Sequence, residues 1–143
     1  MPIREESYDL FGAASGSPAV YSYEKAVSTS ADGNITGNAL DLRAVTPANV
    51  AEYRVLVKVT TAITGLSGSD TVTVEIQHSK DNGSSDAYAT ILTSGAVKKF
   101  AKGDILLDAR LPLDCKRWIK AKVTNAGTAT AGKVGGHVEA ILA

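Results

Sequence analysis

The stretch "EYRVLVKVTT" (52–61) alternates apolar and polar side chains over its whole length. The stretch "TVTVEIQHS" (71–79) does the same. A period of two residues is typical of a β-strand that buries one face, whereas an amphipathic helix repeats about every 3.6 residues. β-branched Val, Ile and Thr, which favour strands, fill most of these positions. The two stretches therefore predict a fold built from sheets. The face turned to the core would carry Tyr53, Val55, Val57 and Val59 in the first stretch and Val72, Val74, Ile76 and His78 in the second.

The same alternation recurs in the C-terminal half, in "RWIKAKVT" (117–124) and "KVGGHVEAIL" (133–142). Shorter candidate strands lie at 19–27, 38–42, 88–93, 95–100 and 104–111. Clusters of Gly, Asn, Asp and Ser, which form turns, separate the segments. One helical turn is expected within 45–53, where a proline follows a threonine. About eight short strands at this spacing predict an all-β, antiparallel sandwich or barrel.

The domain organisation follows from length and local composition. A chain of 143 residues with 44% hydrophobic content fits one domain that forms its core without disulfides. Residues 1–17 differ from the rest, since they show neither a helical nor a strand period and begin with charged residues such as Arg4. Three large apolar side chains lie close together there: Tyr8, Leu10 and Phe11. Such groups usually cover a surface. We therefore expect an extended N-terminal arm over 1–17, which docks on another protein, and a single domain over 18–143.

Charge and cysteine content exclude several classes of function. The formal net charge is zero and the isoelectric point is about 6.7, whereas phosphate binding needs a surplus of Lys and Arg, so we expect no direct nucleic-acid partner. The single cysteine, Cys115, excludes a disulfide within the chain and a cysteine-based zinc site. No apolar run approaches the ~20 residues of a membrane span, and the charged N-terminus does not resemble a signal peptide. We expect neither membrane contact nor secretion.

The residues that could support catalysis are few and scattered. The two histidines, His78 and His137, have no metal-ligand spacing and lie near no nucleophile signature. The loop "SKDNGSSD" (79–86) has too few carboxylates at alternate positions for a calcium loop. Cys115 has no recognisable base beside it in sequence, which favours a structural thiol. We therefore expect no catalytic residue, no metal site and no cofactor, and hence a protein that is not an enzyme.

The stretch "NAGTATAGKVGG" (125–136) nearly matches the phosphate-binding loop G-x-x-x-x-G-K-[S/T]. Val134 stands where a Ser or Thr hydroxyl should hold magnesium, and a strand period follows where a helix is required. We interpret the stretch as a turn. The last two strands would then form a hairpin, with Val123 opposite Val134 and Ala121 opposite Gly136.

Trp118 and Lys120 mark a candidate contact surface. The alternation that places Ile119 and Val123 inside directs Trp118 outward, on the same face as Lys120. A surface tryptophan is either packed under lysine alkyl stems or held in an interface, where tryptophan is enriched. With the arm included, the candidate protein-interface residues are Arg4, Tyr8, Leu10, Phe11, Trp118 and Lys120.

The C-terminal third, residues 104–142, resembles a group of tailed-bacteriophage capsid cement (decoration) proteins of the jelly-roll type. Four motifs occur in the order seen in that group: Leu111-Pro112-Leu113, Arg117-Trp118-Ile119, the Gly-Thr-Ala-Thr-Ala-Gly turn at 127–132, and the small-residue strand at 134–142. The resemblance implies a jelly-roll sandwich with about eight strands. It also implies a structural protein on the outside of a capsid.

In that role, the partner would be the major capsid protein, whose neighbouring subunits the domain cements. The protein would also bind itself, as a homodimer or, alternatively, a trimer. It would assemble in the host bacterial cytoplasm and remain on the virion exterior, with no cofactor.

The rival interpretation is a carbohydrate-binding β-sandwich module. Such modules stack sugar rings on several coplanar aromatic side chains. The chain has one Trp, two Phe and five Tyr, and only Tyr21, Tyr23 and Trp118 are placed for such a face. A screen of glycan binding would discriminate between the two functions.

Overall fold

The computed structural model describes residues 5–11, 14–15, 20–21, 24–42 and 50–142. Four long strands lie in this part: β7 (Val50–Thr64), β8 (Thr71–Ser79), β11 (Trp118–Ala126) and β12 (Ala131–Leu142). The shorter strands are β1 (Glu5–Asp9), β2 (Ala14–Ser15), β3 (Val20–Tyr21), β4 (Glu24–Ala26), β5 (Asn34–Thr36), β6 (Leu40–Asp41), β9 (Ala89–Thr93) and β10 (Ile105–Arg110). None of the described residues belongs to a helix long and apolar enough to cross a bilayer.

The alternation of apolar and polar residues in the sequence corresponds to an alternation of buried and more exposed side chains along the strands. Along β8 and β11, buried side chains are followed almost regularly by half-buried ones. The predicted apolar faces are confirmed at six of their eight positions, which are 0% exposed: Val55, Val57, Val59, Val72, Val74 and Ile76. The other two members, Tyr53 and His78, are half-buried. Side chains on successive strand residues point to opposite sides of a sheet, so one side of each sheet is apolar and must pack against another layer.

The strands form two antiparallel five-stranded sheets and a separate β2–β3 pair. The first sheet has the order β1-β12-β7-β10, and β4 also pairs with β12; the second has the order β5-β11-β8-β9, and β6 also pairs with β11. In the first sheet, β1 and β4 lie end to end along the same edge of β12, so together they take the place of one strand. In the second sheet, β6 and β5 lie end to end along β11 in the same way. Each sheet is therefore four strand positions wide.

These eight positions follow the order of a jelly roll. If they are numbered along the chain, the first sheet runs 1-8-3-6 and the second 2-7-4-5. Buried residues from both sheets belong to one core cluster. The predicted all-β, antiparallel, jelly-roll-like sandwich of about eight strands is thereby confirmed.

The predicted hairpin between the last two strands is wrong. Ala121 of β11 pairs with Ile76 of β8, whereas Gly136 of β12 pairs with Val57 of β7. The turn between β11 and β12 therefore passes from the second sheet to the first. A crossover and a hairpin place the same side chains in the core, so the alternation alone does not distinguish them.

The crossover turn is fixed to neighbouring loops at one end of the sandwich. Gly127 has a φ of +119° and donates its N–H to Asp32 Oδ1 over 2.8 Å. The Asp32 N–H donates in return to the Gly127 carbonyl over 3.0 Å, and the Thr130 N–H donates to the Thr64 carbonyl over 2.8 Å. A Cβ atom on Gly127 would lie 2.3 Å from Asp70 Cγ, so only glycine fits there.

Two residues of the expected arm belong to the core. Leu10 is 0% exposed and Phe11 is 4% exposed. The Leu10 N–H donates to the Gly136 carbonyl over 3.0 Å, and a Cβ on Gly136 would lie 3.0 Å from Phe11 Cε2. The missing side chain of Gly136 thus makes room for the phenylalanine ring. This placement corrects the expectation that Leu10 and Phe11 dock on another protein, because the domain itself encloses both side chains.

Two shorter predictions also change. The expected strand at 95–100 is reduced to an isolated bridge between Val97 and Val72. The expected helical turn at 45–53 lies partly outside the described residues, and its last residues belong to β7.

Candidate protein interface

The remaining N-terminal candidates contribute little to a described site. Arg4 lies outside the described residues. The Tyr8 backbone belongs to β1 and pairs with Val138 of β12, while the Tyr8 side chain is not among those described. The site is therefore built from the two candidates on β11.

Trp118 begins β11 on the outer face of the second sheet and is half-buried there. The Arg117 guanidinium lies 5.5 Å from the centre of the Trp118 ring, within the range of a cation–π interaction. Two guanidinium nitrogens of Arg117 donate to the two carboxylate oxygens of Asp41, each over 2.8 Å. These hydrogen bonds raise the pKa of Arg117 further and fix the guanidinium beside the indole.

Lys120 forms a second cation–aromatic pair on the same face. Its Nζ lies 4.1 Å from the centre of the Tyr88 ring. The Tyr88 hydroxyl donates to Asn82 Oδ1 over 2.7 Å, and burial raises the pKa of this phenol. The tyrosine ring is thus held at both its face and its hydroxyl. We call the surface formed by Arg117, Trp118, Lys120 and Tyr88 the cation–aromatic face.

The loop that carries Tyr88 is internally hydrogen-bonded. Asp81 accepts hydrogen bonds from the hydroxyl and the N–H of Ser85 and from the N–H of Asp86. These donors, the Ser85 hydroxyl first, hold the pKa of Asp81 far below its usual range. Asp86 in turn forms an ion pair with Lys116 at 2.8 Å, which lowers the pKa of Asp86. The loop residues before Tyr88 are therefore well ordered by their own contacts, so the ring has a defined position.

The cation–aromatic face has the composition of a protein-binding surface. Trp, Tyr and Arg are the residue types most often found at the centre of protein interfaces. Both cations are already oriented by their aromatic or carboxylate neighbours, so binding a partner would order few side chains. The sequence alone identified Trp118 and Lys120. It missed Tyr88, because the loop that brings Tyr88 to Lys120 leaves no local pattern.

The residues weighed for catalysis are held in structural contacts. His78 Nδ1 accepts a hydrogen bond from the Lys116 N–H over 3.2 Å, and His137 Nε2 lies 2.9 Å from Glu139 Oε1. Burial, and secondarily Asp114, raises the pKa of the Cys115 thiol to about 11, so the nucleophilic thiolate is scarce at neutral pH. Within the described ranges, no group of three or more His, Cys, Asp or Glu residues is placed to hold a metal.

The near-match to a phosphate-binding loop has a different role. Lys133 lies inside β12, where a phosphate-binding loop would begin a helix, and its Nζ is 3.2 Å from Glu24 Oε1. Val134 is 0% exposed and faces the core. The interpretation as a turn agrees with this geometry, although the turn links two sheets.

The outer face of the first sheet carries a shallow depression that the sequence did not indicate. Leu56 and Ile105 form its apolar part, and Arg54, Asp108 and Glu139 line the rest. Arg54 Nη2 lies 2.9 Å from both oxygens of the Asp108 carboxylate. Paired charges occur on the cation–aromatic face as well, but no aromatic residue is among the described residues that line this depression. We therefore take the cation–aromatic face as the better candidate interface.

Comparison with known proteins identifies the family. No curated protein matches the chain in sequence. The model of the Bbp16 family, whose name is phage-related, matches residues 21–138, which include the whole cation–aromatic face and most of both sheets. The match covers most of the chain, and the chain therefore belongs to the Bbp16 family.

Proposed function

We propose that this protein is a structural virion protein that binds the outer surface of a phage capsid and cements neighbouring major capsid subunits. The observation that carries the proposal is membership of a phage-related family over residues 21–138. The C-terminal motifs that resemble capsid cement proteins lie largely within the same range. A jelly roll with a cation–aromatic face suits a role in which binding, rather than chemistry, is the task.

The proposed role also defines the partners of the protein and its location. The direct partners are the major capsid protein and a second copy of the chain, and the complex stays on the virion exterior after assembly in the bacterial cytoplasm. The zero net charge suits the exterior of a shell better than contact with packaged DNA. In this role the protein needs no cofactor, membrane or catalytic residue.

The carbohydrate-binding alternative receives less support from the described aromatic residues. Sugar rings stack on exposed aromatic faces. The ring of Trp118 is approached by Arg117 and that of Tyr88 by Lys120, so a sugar would compete with a cation for either face. Tyr23 lies outside the described residues, as does the side chain of Tyr21.

Co-sedimentation tests the proposed function. Capsids of the phage that encodes the chain are prepared without the protein and mixed with increasing amounts of it. We expect saturable binding at a fixed ratio of copies to major capsid subunits. The double variant Trp118→Ala, Lys120→Ala should bind on the order of 30-fold more weakly, as expected when a central tryptophan is lost.

The control variant is Lys58→Ala, which removes an exposed cation from the outer face of the other sheet and should bind as the wild type does. Thermal unfolding of each free variant shows that it is folded. Absence of saturable wild-type binding would contradict the proposed function. A screen of glycans on the same preparations would detect the carbohydrate alternative.

A further inference from the structure

The Leu-Pro-Leu step places two leucines in opposite environments. Leu111 is 7% exposed and packs in the core, whereas Leu113 is 101% exposed. Among the large apolar side chains whose burial the structure describes, one other is exposed, Ile105 at 46%. Among the side chains whose exposure the structure describes, Leu113 is the most exposed large apolar group.

The turn that carries Leu113 is held on both sides. The Leu111 N–H donates to the Tyr53 carbonyl over 2.9 Å, and Pro112 fixes its own φ by its ring. The Cys115 N–H donates to the Pro112 carbonyl over 3.1 Å, which closes a four-residue turn with Leu113 at its second position. Leu113 is thus presented at the tip of a closed turn.

The residues after the turn anchor it to the second sheet. The Lys116 N–H donates to His78 Nδ1 over 3.2 Å, and the Lys116 ammonium pairs with Asp86. Arg117 pairs with Asp41, and its carbonyl accepts the Leu42 N–H over 2.8 Å. Because the backbone that carries Leu113 is fixed in this way, binding a partner would order the leucine side chain but little of the turn.

The charged residue next to Leu113, Asp114, indicates which residue types a partner surface would carry. Asp114 is exposed and forms no ion pair with any described residue. The nearby cations Lys116 and Arg117 are instead paired with Asp86 and Asp41. The tip of the turn therefore presents one apolar group and one unneutralised carboxylate. A complementary surface would combine an apolar pocket with a lysine or arginine at its edge.

We propose that Leu113 anchors the domain in an apolar pocket of the major capsid protein, with a basic residue of that protein facing Asp114. This inference rests on the proposed function and adds a contact to it. Only Lys116 and Arg117 separate the Leu113 turn from β11, so the anchor is close in the chain to the cation–aromatic face. The anchor and the face would form adjoining parts of one interface.

Capsid binding of a Leu113→Ser variant tests the anchor. Burial of a leucine side chain corresponds to about a 10- to 100-fold change in dissociation constant, so we expect a loss in that range. The matched control is Ile105→Ser, which removes the other exposed apolar side chain from the first sheet and should bind as the wild type does. Asp114→Lys should also weaken binding, and increasing salt should weaken the wild type more than Asp114→Asn.

The binding results of the wild type and of Leu113→Ser distinguish a failure of the anchor proposal from a failure of the proposed function. If the wild type binds capsids and Leu113→Ser binds equally well, the anchor is wrong and the proposed function stands. If the wild type does not bind, the proposed function fails first. Light scattering of each free variant gives its oligomeric state. Loss of binding by Leu113→Ser together with loss of an oligomer would overturn the inference, because Leu113 would then be covered by a second copy of the chain.

Discussion

At the scale of single residues, the glycines show how closely the loops and sheets approach each other. The ring of Phe11 lies where Gly136 has no side chain, and the carboxylate of Asp70 lies where Gly127 has none. A jelly roll brings loops from both sheets together at each end, so a side chain at such a point must displace a neighbouring loop. This explains why the Gly-Thr-Ala-Thr-Ala-Gly turn needs its first glycine, independently of any phosphate.

We predict that Gly127→Ala destabilises the fold by about 1–3 kcal/mol from its backbone conformation alone, with a further cost from the contact with Asp70. Gly95→Ala, also at positive φ but with open space around it, should show the conformational cost only. Gly68→Ala, with nothing within 4 Å of the added methyl group, should lie within about 0.5 kcal/mol of the wild type. Urea denaturation measures the three free energies of unfolding, and equal values for Gly127→Ala and Gly68→Ala would contradict the prediction.

The half-buried thiol of Cys115 predicts a dependence of stability on pH. Its pKa is raised from 9.0 to about 11 in the folded protein, so between these values the folded state holds a proton that the unfolded chain releases. The contribution of the thiol to stability is therefore complete below about pH 9 and is lost as the pH rises towards about 11.

The measurement is the free energy of unfolding of the wild type minus that of Cys115→Ala, followed from neutral pH to about pH 11. The lysines titrate in both proteins, so their effect cancels in the difference. We expect the difference to fall as the pH rises above about 9. A difference that is constant with pH would show that the thiol is not protected by its surroundings.

At the scale of elements, the first strand belongs to the domain rather than to a free arm. β1 pairs with β12, and the two residues that follow β1 fill the core. Leu10→Ala should therefore cost about 2–5 kcal/mol, the range for a buried leucine that leaves a cavity. The matched control is Leu113→Ala, which changes a fully exposed leucine and should leave the urea midpoint unchanged.

Deletion of residues 2–11 should for the same reason prevent stable folding, which circular dichroism would show. A folded deletion variant, or equal urea midpoints for Leu10→Ala and Leu113→Ala, would show that the N-terminal segment is an arm that the fold does not need.

The sequence predicts where the strands lie better than it predicts which strands pair. Alternation identifies the inner faces of β7, β8 and β11 because burial on one side of a sheet is a local property. It does not show that β11 pairs with β8, because a short loop can join strands of the same sheet or of opposite sheets. The backbone of Leu10 is hydrogen-bonded to Gly136, far along the chain, and the ring of Tyr88 lies against Lys120. Such contacts arise only when the sheets assemble.

At the scale of the whole molecule, two surfaces of different character cover the sandwich. The outer face of the first sheet carries ion pairs that are complete within the chain, such as Arg54 with Asp108 and Arg110 with Glu52. The second sheet carries the cation–aromatic face, and the Leu113 turn precedes its strand β11. Ion pairs within the chain also occur beside the second sheet, as between Arg117 and Asp41, so the feature that favours attachment through the second sheet is its aromatic side chains, Trp118 and Tyr88. If many copies bind one symmetric shell, their contacts together would strengthen the shell even where each single contact is weak.

The proposed cementing role predicts that the protein raises the temperature at which the capsid is disrupted. A ligand that binds only the intact shell stabilises it increasingly with its free concentration, by about 2.7 kcal/mol per bound copy at 100 times the dissociation constant. Scanning calorimetry of capsids lacking the protein, at a series of added concentrations, should therefore show a rising transition temperature. Leu113→Ser should reach the same shift only at concentrations about 10- to 100-fold higher. If saturating wild-type protein leaves the transition temperature unchanged, the domain decorates the capsid without cementing it.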